Sequence, residues 1–65
     1  MKILFKETFN NSKGNNIKVE LVQIKKGEYK LTTTKNNKVV DTIEMDEWFD
    51  LENEFKDQVK YADKY

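Results

Sequence analysis

Few side chains in this sequence are of the kinds that carry out covalent chemistry. The 65 residues include no cysteine and no histidine, and the single serine, Ser12, lies in a turn-forming segment. General acid–base catalysis usually needs histidine or a carboxylate in a dry pocket, and nucleophilic catalysis needs a hydroxyl or thiol beside a base. Gly14 and Gly27 do not form a phosphate-binding loop. We therefore expect no enzymatic activity and no cofactor.

Acidic side chains recur near the C-terminus at intervals that a helix would bring to one face. They are Asp46, Glu47, Asp50, Glu54 and Asp57. This arc lacks the turn geometry of a calcium loop, and a solvated helix face explains it better than a metal site. A rigid row of negative charge would also suit a phage-type inhibitor that binds a basic protein partner. This protein-binding function is the alternative hypothesis, and a purely structural subunit with no partner beyond itself is a third.

The net charge of zero conceals a strong division along the chain. Residues 1–40 contain nine lysines and three glutamates, a net charge of +6, whereas residues 41–65 contain nine acids and three lysines, a net charge of −6. Such a division can steer a charged partner to one face, or it can hold the two halves together. Lysine supplies all the basic charge and asparagine is frequent, which is typical of an AT-rich bacterial or phage gene.

Periodicity predicts the elements that must position these charges. Apolar residues alternate with polar ones in four segments, and clusters of asparagine, glycine and lysine separate the segments. The predicted strands cover about residues 2–9, 17–24, 28–34 and 38–45, and the predicted helix covers about 47–62. The expected fold class is α+β, a single domain of residues 1–65 in which one C-terminal amphipathic helix packs on one face of a four-stranded antiparallel meander.

Loop lengths determine which strand residues share a face. A three-residue loop at Lys25–Gly27 pairs Leu21 with Leu31 and Val19 with Thr33, and glycine then takes the left-handed position. A similar loop at 35–37 sets Thr33 opposite Val39 and Tyr29 opposite Ile43. The predicted core face contains Ile3, Phe5, Phe9, Ile17, Val19, Leu21, Tyr29, Leu31, Val39, Ile43 and Met45. Because Glu7, Gln23 and Asp41 fall on the same face, we expect them at strand edges or beside a bulge.

The predicted helix covers this core. Asp46 is a suitable N-cap, because its carboxylate can accept from the free amides of the first turn. The buried stripe is predicted to contain Trp48, Leu51, Phe55, Val59 and Ala62. Phe49 projects away from that stripe, and we interpret it as a self-association contact. A 65-residue chain buries a small core, so a homodimer is expected.

The face of the sheet away from the helix is predicted to be basic and rich in hydroxyl groups. Its lysines are Lys2, Lys6, Lys18, Lys30 and Lys38, and its threonines are Thr8, Thr32, Thr34 and Thr42. Ammonium groups neutralise phosphates and threonine hydroxyls can donate to phosphate oxygens, so single-stranded nucleic acid is the leading candidate ligand. An ordinary exposed sheet, in which Lys6 pairs with Glu20, is the competing interpretation.

Two features limit the strength and selectivity of such binding. The predicted face carries no aromatic platform, although each stacked base contributes about 1–3 kcal/mol in many single-strand binders. Arginine is absent, so the bidentate fork that reads guanine is missing. We therefore expect weakly selective binding that depends on salt.

The run KVELVQIKKGEYKLTT followed by TIEMDEW resembles the positive cofactor four type of transcriptional coactivator domain and its short bacterial relatives. The resemblance covers roughly residues 14–59 and uses Glu20-Leu21, Glu28 to Leu31, and the passage through Ile43, Met45 and Asp46. It implies a ββββα fold that dimerises through its helices and binds single-stranded DNA on its sheets, with Lys6, Lys18 and Lys30 as the nearest candidates for backbone contacts. The sequence departs from the family because Asp50 stands where the helix aromatic is expected, and the strand arginines and tryptophans are missing.

The start of the chain, MKILFKETF, has too short an apolar run for a signal peptide, and no segment approaches the roughly 18 apolar residues of a membrane span. We therefore expect a cytoplasmic protein that does not enter a membrane.

Overall fold

The computed structural model describes all 65 residues as one four-stranded antiparallel sheet followed by a helix. The strand order is β1-β2-β3-β4, so β1 and β4 are the two edges. The elements are β1 (Lys2–Asn10), β2 (Asn16–Lys25), β3 (Glu28–Lys35), β4 (Lys38–Asp46), α1 (Leu51–Tyr61) and a short 3-10 helix, η1 (Ala62–Lys64). The α+β fold is confirmed, and each predicted strand lies within one residue of its observed bounds. None of the helical segments has the length and hydrophobicity that a membrane-spanning helix requires.

The β2–β3 register agrees with the prediction, although the loop is shorter. Leu21 pairs with Leu31 and Val19 with Thr33, but Lys25 pairs with Glu28, leaving only Lys26 and Gly27 in the turn. Gly27 has a φ of 78°, the left-handed conformation that glycine adopts without steric cost. The third residue of the predicted loop is replaced by a bulge at position 24, between the paired residues Gln23 and Lys25.

The predicted β3–β4 register is wrong by two residues. Thr33 pairs with Asp41 instead of Val39, and Tyr29 pairs with Met45 instead of Ile43. A shorter turn accounts for one residue of the shift and a bulge at Val40 for the other; in the turn, Asn36 and Asn37 have φ values of 49° and 70°. Two consecutive left-handed residues form a two-residue hairpin turn, which matches the twist of the strands and lets Lys35 pair with Lys38. The shift is one residue between the turn and position 40, which reverses the faces of Lys38 and Val39, and two residues beyond the bulge, which preserves the faces from Asp41 onward.

Bulges in the two edge strands turn two predicted core residues away from the core. The register of β1 shifts between Ile3 and Phe5, so Ile3 lies opposite Val22 on the sheet face away from the helix and is 54% exposed. The shift in β4 places Val39 opposite Thr34 on that same face, where it is 64% exposed. Leu4 packs against the core in place of Ile3. Each bulge adds one residue to a strand with a side-chain period of two, so it reverses the faces beyond it.

The core lies between α1 and the sheet. Its fully buried members come mainly from the central strands, and Phe55 and Ala62 contribute from the helical segment. The Phe55 ring stacks on Phe5 with centroids 5.4 Å apart. The core residues are Ile17, Val19, Leu21, Leu31, Met45, Phe55 and Ala62, and Leu4, Phe5, Phe9, Tyr29, Ile43, Leu51, Val59 and Tyr65 pack against them in part. The predicted helix stripe is therefore confirmed from Leu51 onward.

Polar side chains on the helix side of the sheet are accommodated by hydrogen bonds or by exposure. The buried Gln58 amide donates to Thr33 Oγ1 at 2.9 Å and to Asp41 Oδ2 at 3.2 Å. Burial raises the pKa of Tyr65 above its ordinary value of 10.0, and the negative charge of nearby Asp41 makes a smaller contribution in the same direction. Glu7 is exposed at the edge of the sheet, and no buried side-chain nitrogen or oxygen lacks a partner. The three polar residues predicted on the core face, Glu7, Gln23 and Asp41, therefore leave no buried polar atom without a hydrogen-bond partner.

The helix starts four residues later than predicted. Asp46 is the last residue of β4, paired with Glu28, and its carboxylate accepts from the Trp48 amide at 2.9 Å. This local turn keeps residues 47–49 out of the helix, and Asp50 is the N-cap, accepting from the Asn53 amide at 3.2 Å. Trp48 is therefore 87% exposed, so its predicted place in the buried stripe is wrong.

The two aspartates are expected to differ in their effect on stability. Asp50→Ala removes the N-cap and should lower the free energy of unfolding by about 1 kcal/mol, whereas Asp46→Ala should lower it by under about 0.5 kcal/mol because only an exposed turn is affected. Urea unfolding followed by circular dichroism gives both values. A larger loss for Asp46→Ala would place the helix start at the earlier residue.

The loop between β1 and β2 binds the C-terminal segment. The buried Asn11 side chain donates to the Ala62 carbonyl at 3.1 Å, and the Asn15 amide donates to the Tyr65 carbonyl at 2.8 Å. Between them, the Ser12 amide and hydroxyl donate to the Asp63 carboxylate at 2.8 and 2.9 Å. These bonds, joining residues about fifty positions apart, fix the end of the helical segment against the sheet.

The contribution of Asp63 should depend on pH. Hydrogen bonds from the Ser12 backbone and side chain hold the pKa of this carboxyl below its ordinary value of 3.8. A lowered pKa in the folded state means that the stabilisation is complete above the ordinary value and is lost as pH falls through the folded value. The stability difference between wild type and Asp63→Asn should therefore be full at about pH 6 and shrink below about pH 4, as measured by urea unfolding. An unchanged difference at low pH would contradict this role.

Candidate nucleic-acid interface

The sheet face away from α1, here called the outer face, holds three of the five predicted lysines. The register places Lys6 opposite Glu20, Lys18 between Thr8 and Thr34, and Lys30 between Val22 and Glu44. Thr32 and Thr42 continue the row that starts at Lys6 and Glu20. Lys6, Lys18, Lys30 and the threonines beside them therefore lie on the outer face, as the sequence predicts.

The three lysines form a triangle across three neighbouring strands. Strands lie about 4.8 Å apart and every second residue advances about 6.7 Å, so the Cα of Lys6 is about 8 Å from that of Lys18 and about 12 Å from that of Lys30. Lys18 and Lys30 are separated by about 14 Å on the same geometry. Long flexible side chains on this spacing could reach successive phosphates of one extended strand.

The ammonium groups on the outer face are not engaged in salt bridges. The two salt bridges of the protein join Lys25 to Glu28 and Lys56 to Glu52. Lys6 and Glu20 are direct cross-strand neighbours, as the sequence predicts, but they do not form a salt bridge. The outer-face lysines are therefore available to an anionic ligand. Such a ligand would compete with the nearby glutamates for these lysines.

Lys2 and Lys38 do not lie on the outer face, contrary to prediction. Lys2 pairs with Gln23 on the helix side, because the bulge after Ile3 reverses the faces of β1. Lys38 pairs with Lys35, which itself lies opposite the buried Ile17. Two lysines side by side at the β3–β4 turn make that end of the sheet more basic, so the positive potential extends from Lys18 toward the turn.

Acidic residues lower the charge of the outer face. Glu20 occupies the middle of the triangle of lysines, and Glu44 lies beside Lys30 at the β4 edge. Three lysines and two glutamates leave a net charge of +1, to which the lysine pair at the β3–β4 turn adds. The field that would attract a phosphate chain is therefore modest and strongest near Lys18.

The exposed aromatic residues lie away from the outer face. Trp48 and Phe49 follow the end of β4 among Asp46, Glu47 and Asp50, where negative charge opposes a phosphate chain. The exposure of Trp48 was not predicted from the sequence. Asp50, a second possible N-cap four residues after Asp46, is the feature that could have indicated a later helix start and an exposed Trp48. No aromatic platform for base stacking is added to the site.

The predicted acidic helix face is interrupted in the structure. Asp46 and Glu47 precede α1, and the Asp50 carboxylate is engaged by the Asn53 amide and side chain. Only Glu54 and Asp57 of the predicted arc lie on the helix itself. No group of three or more acids, cysteines or histidines could hold a metal ion. The helix therefore presents a short acidic surface instead of a continuous row.

Phe49 lies in the turn before α1 and is 43% exposed, beside the more exposed Trp48. Its amide donates to the Asp46 carbonyl at 3.3 Å, which fixes its backbone. Self-association through Phe49 stays a prediction.

Comparison with known proteins adds no relative: no protein-family model, curated protein sequence or solved structure matches this chain. The resemblance to the coactivator domain and its single-stranded DNA binding therefore stays a prediction carried by the residues alone.

Proposed function

We propose that this protein is a non-enzymatic, weakly selective binder of single-stranded nucleic acid that uses its outer face. The observation that carries the proposal is the position of Lys6, Lys18 and Lys30 on one helix-free face, none of them in a salt bridge. Lysines neutralise phosphates and release counterions, which supplies affinity that does not depend on base sequence. The proposal includes association of two copies through Phe49, which would double the binding surface.

The threonines supply a second kind of contact. Thr8 and Thr34 flank Lys18, and Thr8 and Thr32 lie two residues along the strand from Lys6 and Lys30 respectively, so each basic group has a hydroxyl donor on its face of the sheet. Phosphate contacts of this kind position a strand but do not read its bases. Without arginine or an aromatic platform, binding should be weak and nearly indifferent to base sequence.

The position of Glu20 gives a direct test of the site. Its carboxylate would face the phosphates bound by the surrounding lysines, and a repulsion across about 8 Å of water costs about 0.5 kcal/mol for each phosphate. Glu20→Gln should therefore strengthen binding to a labelled oligothymidylate about two- to threefold in fluorescence anisotropy at low salt.

The matched control is Asp57→Asn, which makes the same change in net charge on α1, across the sheet from the outer face. It should leave the affinity for the oligonucleotide unchanged. Equal gains for the two variants would show that only total charge matters, and a gain for Asp57→Asn alone would move the site to the helix side.

A further inference from the structure

A cleft of about 350 Å³ lies between edge strand β1 and helix α1, on the side of the sheet opposite to the outer face. Phe5, Phe55 and Val59 form its apolar floor, and charged side chains, including Glu7 and Lys60, surround it. The volume falls near the lower end of the range of ligand pockets, about 300–1,000 Å³. It therefore suits one or two side chains better than a large cofactor.

The backbone of β1 is open beside this cleft. From Phe5 to Asn10 the strand pairs regularly with β2 on one side only. None of the six backbone hydrogen bonds outside the helices and strands involves a residue of β1. Every second residue of this stretch points its amide and carbonyl outward, and these groups can pair with a further strand.

We propose that β1 binds an extended peptide from another protein as a fifth strand, with one apolar side chain of the peptide inserted into the cleft. Strand addition gives affinity through main-chain hydrogen bonds, and alternate side chains give specificity. A residue opposite Phe5 would point to the helix side and fill the cleft. The cleft lies on the opposite face of the molecule from the nucleic-acid site, and Lys6 at the edge of the outer face is the one residue that both proposals use. Peptide binding does not depend on nucleic-acid binding.

Charge identifies the neighbouring positions of the peptide. Glu7 is exposed on the helix side and Lys6 is exposed on the outer face. An antiparallel peptide should place a basic residue opposite Glu7, then an acidic residue opposite Lys6, then the apolar residue opposite Phe5. The predicted recognition pattern is basic, acidic, apolar, read from the N-terminus of the peptide.

A second copy of β1 cannot supply this pattern. Glu7 is the one acidic residue of β1 and its side chain lies on the helix side, so a second copy has no acidic residue to place opposite Lys6 on the outer face. Pairing Lys6 with Glu7 would require side chains of opposite faces to lie side by side, which a strand does not permit. The partner is therefore a different chain.

The test uses two synthetic peptides of the same composition. TVTKELT presents lysine to Glu7, glutamate to Lys6 and leucine to the cleft, and TVTEKLT exchanges the two charged residues. With isotope-labelled protein, TVTKELT should shift the amide resonances of residues 5–9 and 55–60 with a dissociation constant below about 1 mM. TVTEKLT should bind at least about fivefold more weakly, since each charged cross-strand pair contributes up to about 1 kcal/mol.

Two substitutions separate the contribution of the apolar anchor from that of the charged pair. Replacing the leucine of TVTKELT by serine should weaken binding at least about tenfold, because the apolar anchor is lost. Glu7→Lys in the protein should remove the preference for TVTKELT while leaving the exposed surface folded. Equal shifts with both peptides, or no shifts along β1, would overturn the proposal. Shifts of the cleft resonances that depend on protein concentration alone would instead show that a second copy occupies the cleft and would also overturn the proposal.

Discussion

The triple variant Lys6→Glu, Lys18→Glu, Lys30→Glu is expected to bind an oligothymidylate at least about 100-fold more weakly than wild type. Each lysine that meets a phosphate at about 4 Å in water contributes about 1 kcal/mol, and three lost contacts amount to about 3 kcal/mol before the added repulsion. Fluorescence anisotropy at low salt measures the change. Far-UV circular dichroism should be unaltered, because the three side chains lie outside the core.

The control is a second triple variant with the same change of total charge, Lys56→Glu, Lys60→Glu, Lys64→Glu. These lysines belong to the helical segment on the other side of the sheet. If the outer face is the site, this variant should lose only the small part of the affinity that depends on net charge. An equal loss in the two variants would show that the outer face is not a site.

Asn11→Ala is expected to cause the largest loss of stability among polar substitutions, about 2–4 kcal/mol. The Asn11 side chain is buried, donates to the Ala62 carbonyl and accepts from the Lys13 and Asn15 amides. Its removal eliminates three hydrogen bonds: the buried Ala62 carbonyl keeps only the Tyr65 amide as a donor, and the partly buried Lys13 and Asn15 amides lose their acceptor. Each hydrogen bond contributes about 0.5–1.5 kcal/mol, and a buried group left unsatisfied costs more. A 65-residue domain has a total stability of only about 3–10 kcal/mol, so much of it would be lost. Urea unfolding gives the value.

The neighbouring residue provides the control for this prediction. Asn10 is exposed at the end of β1 and makes no side-chain hydrogen bond to the C-terminal segment. Asn10→Ala should change the free energy of unfolding by less than about 0.5 kcal/mol. A similar small effect of Asn11→Ala would mean that the β1–β2 loop does not hold the C-terminal segment in place.

The strands could be predicted because their signal is local. Alternation with period two and clusters of asparagine and glycine determine where each strand begins and ends. The β3–β4 register was wrong by two residues: two adjacent asparagines adopt the left-handed conformation and shorten the loop by one, and the bulge at Val40 adds the second. The bulges near Leu4 and Val40 carry no glycine or other sequence mark, and each reverses the faces beyond it.

The helix start illustrates competition between two equivalent signals. Asp46 and Asp50 are both good caps by residue type, and both precede apolar residues. The structure favours Asp50 because Asp46 still pairs with Glu28 in the sheet, which sequence periodicity does not reveal. Trp48 is exposed as a direct result.

The sequence placed the three central lysines of the candidate site on the correct face of the sheet and the two outer lysines on the wrong face. Lys6, Lys18 and Lys30 lie in regular parts of their strands, so alternation places them correctly. Lys2 and Lys38 lie beyond a bulge and beside a turn, where alternation fails. The Asn11 hydrogen bonds and the cleft beside β1 join distant parts of the chain and leave no local pattern to read.

Salt dependence of oligothymidylate binding tests the central proposal most directly. If three lysines contact phosphates, the logarithm of the association constant should fall against the logarithm of salt concentration with a slope of about −2, since each contact to a single strand contributes about −0.7. Binding should then weaken about 20-fold between about 50 and 200 mM salt. A slope near zero, or no binding at the lower salt concentration, would contradict the assignment of the outer face to single-stranded nucleic acid.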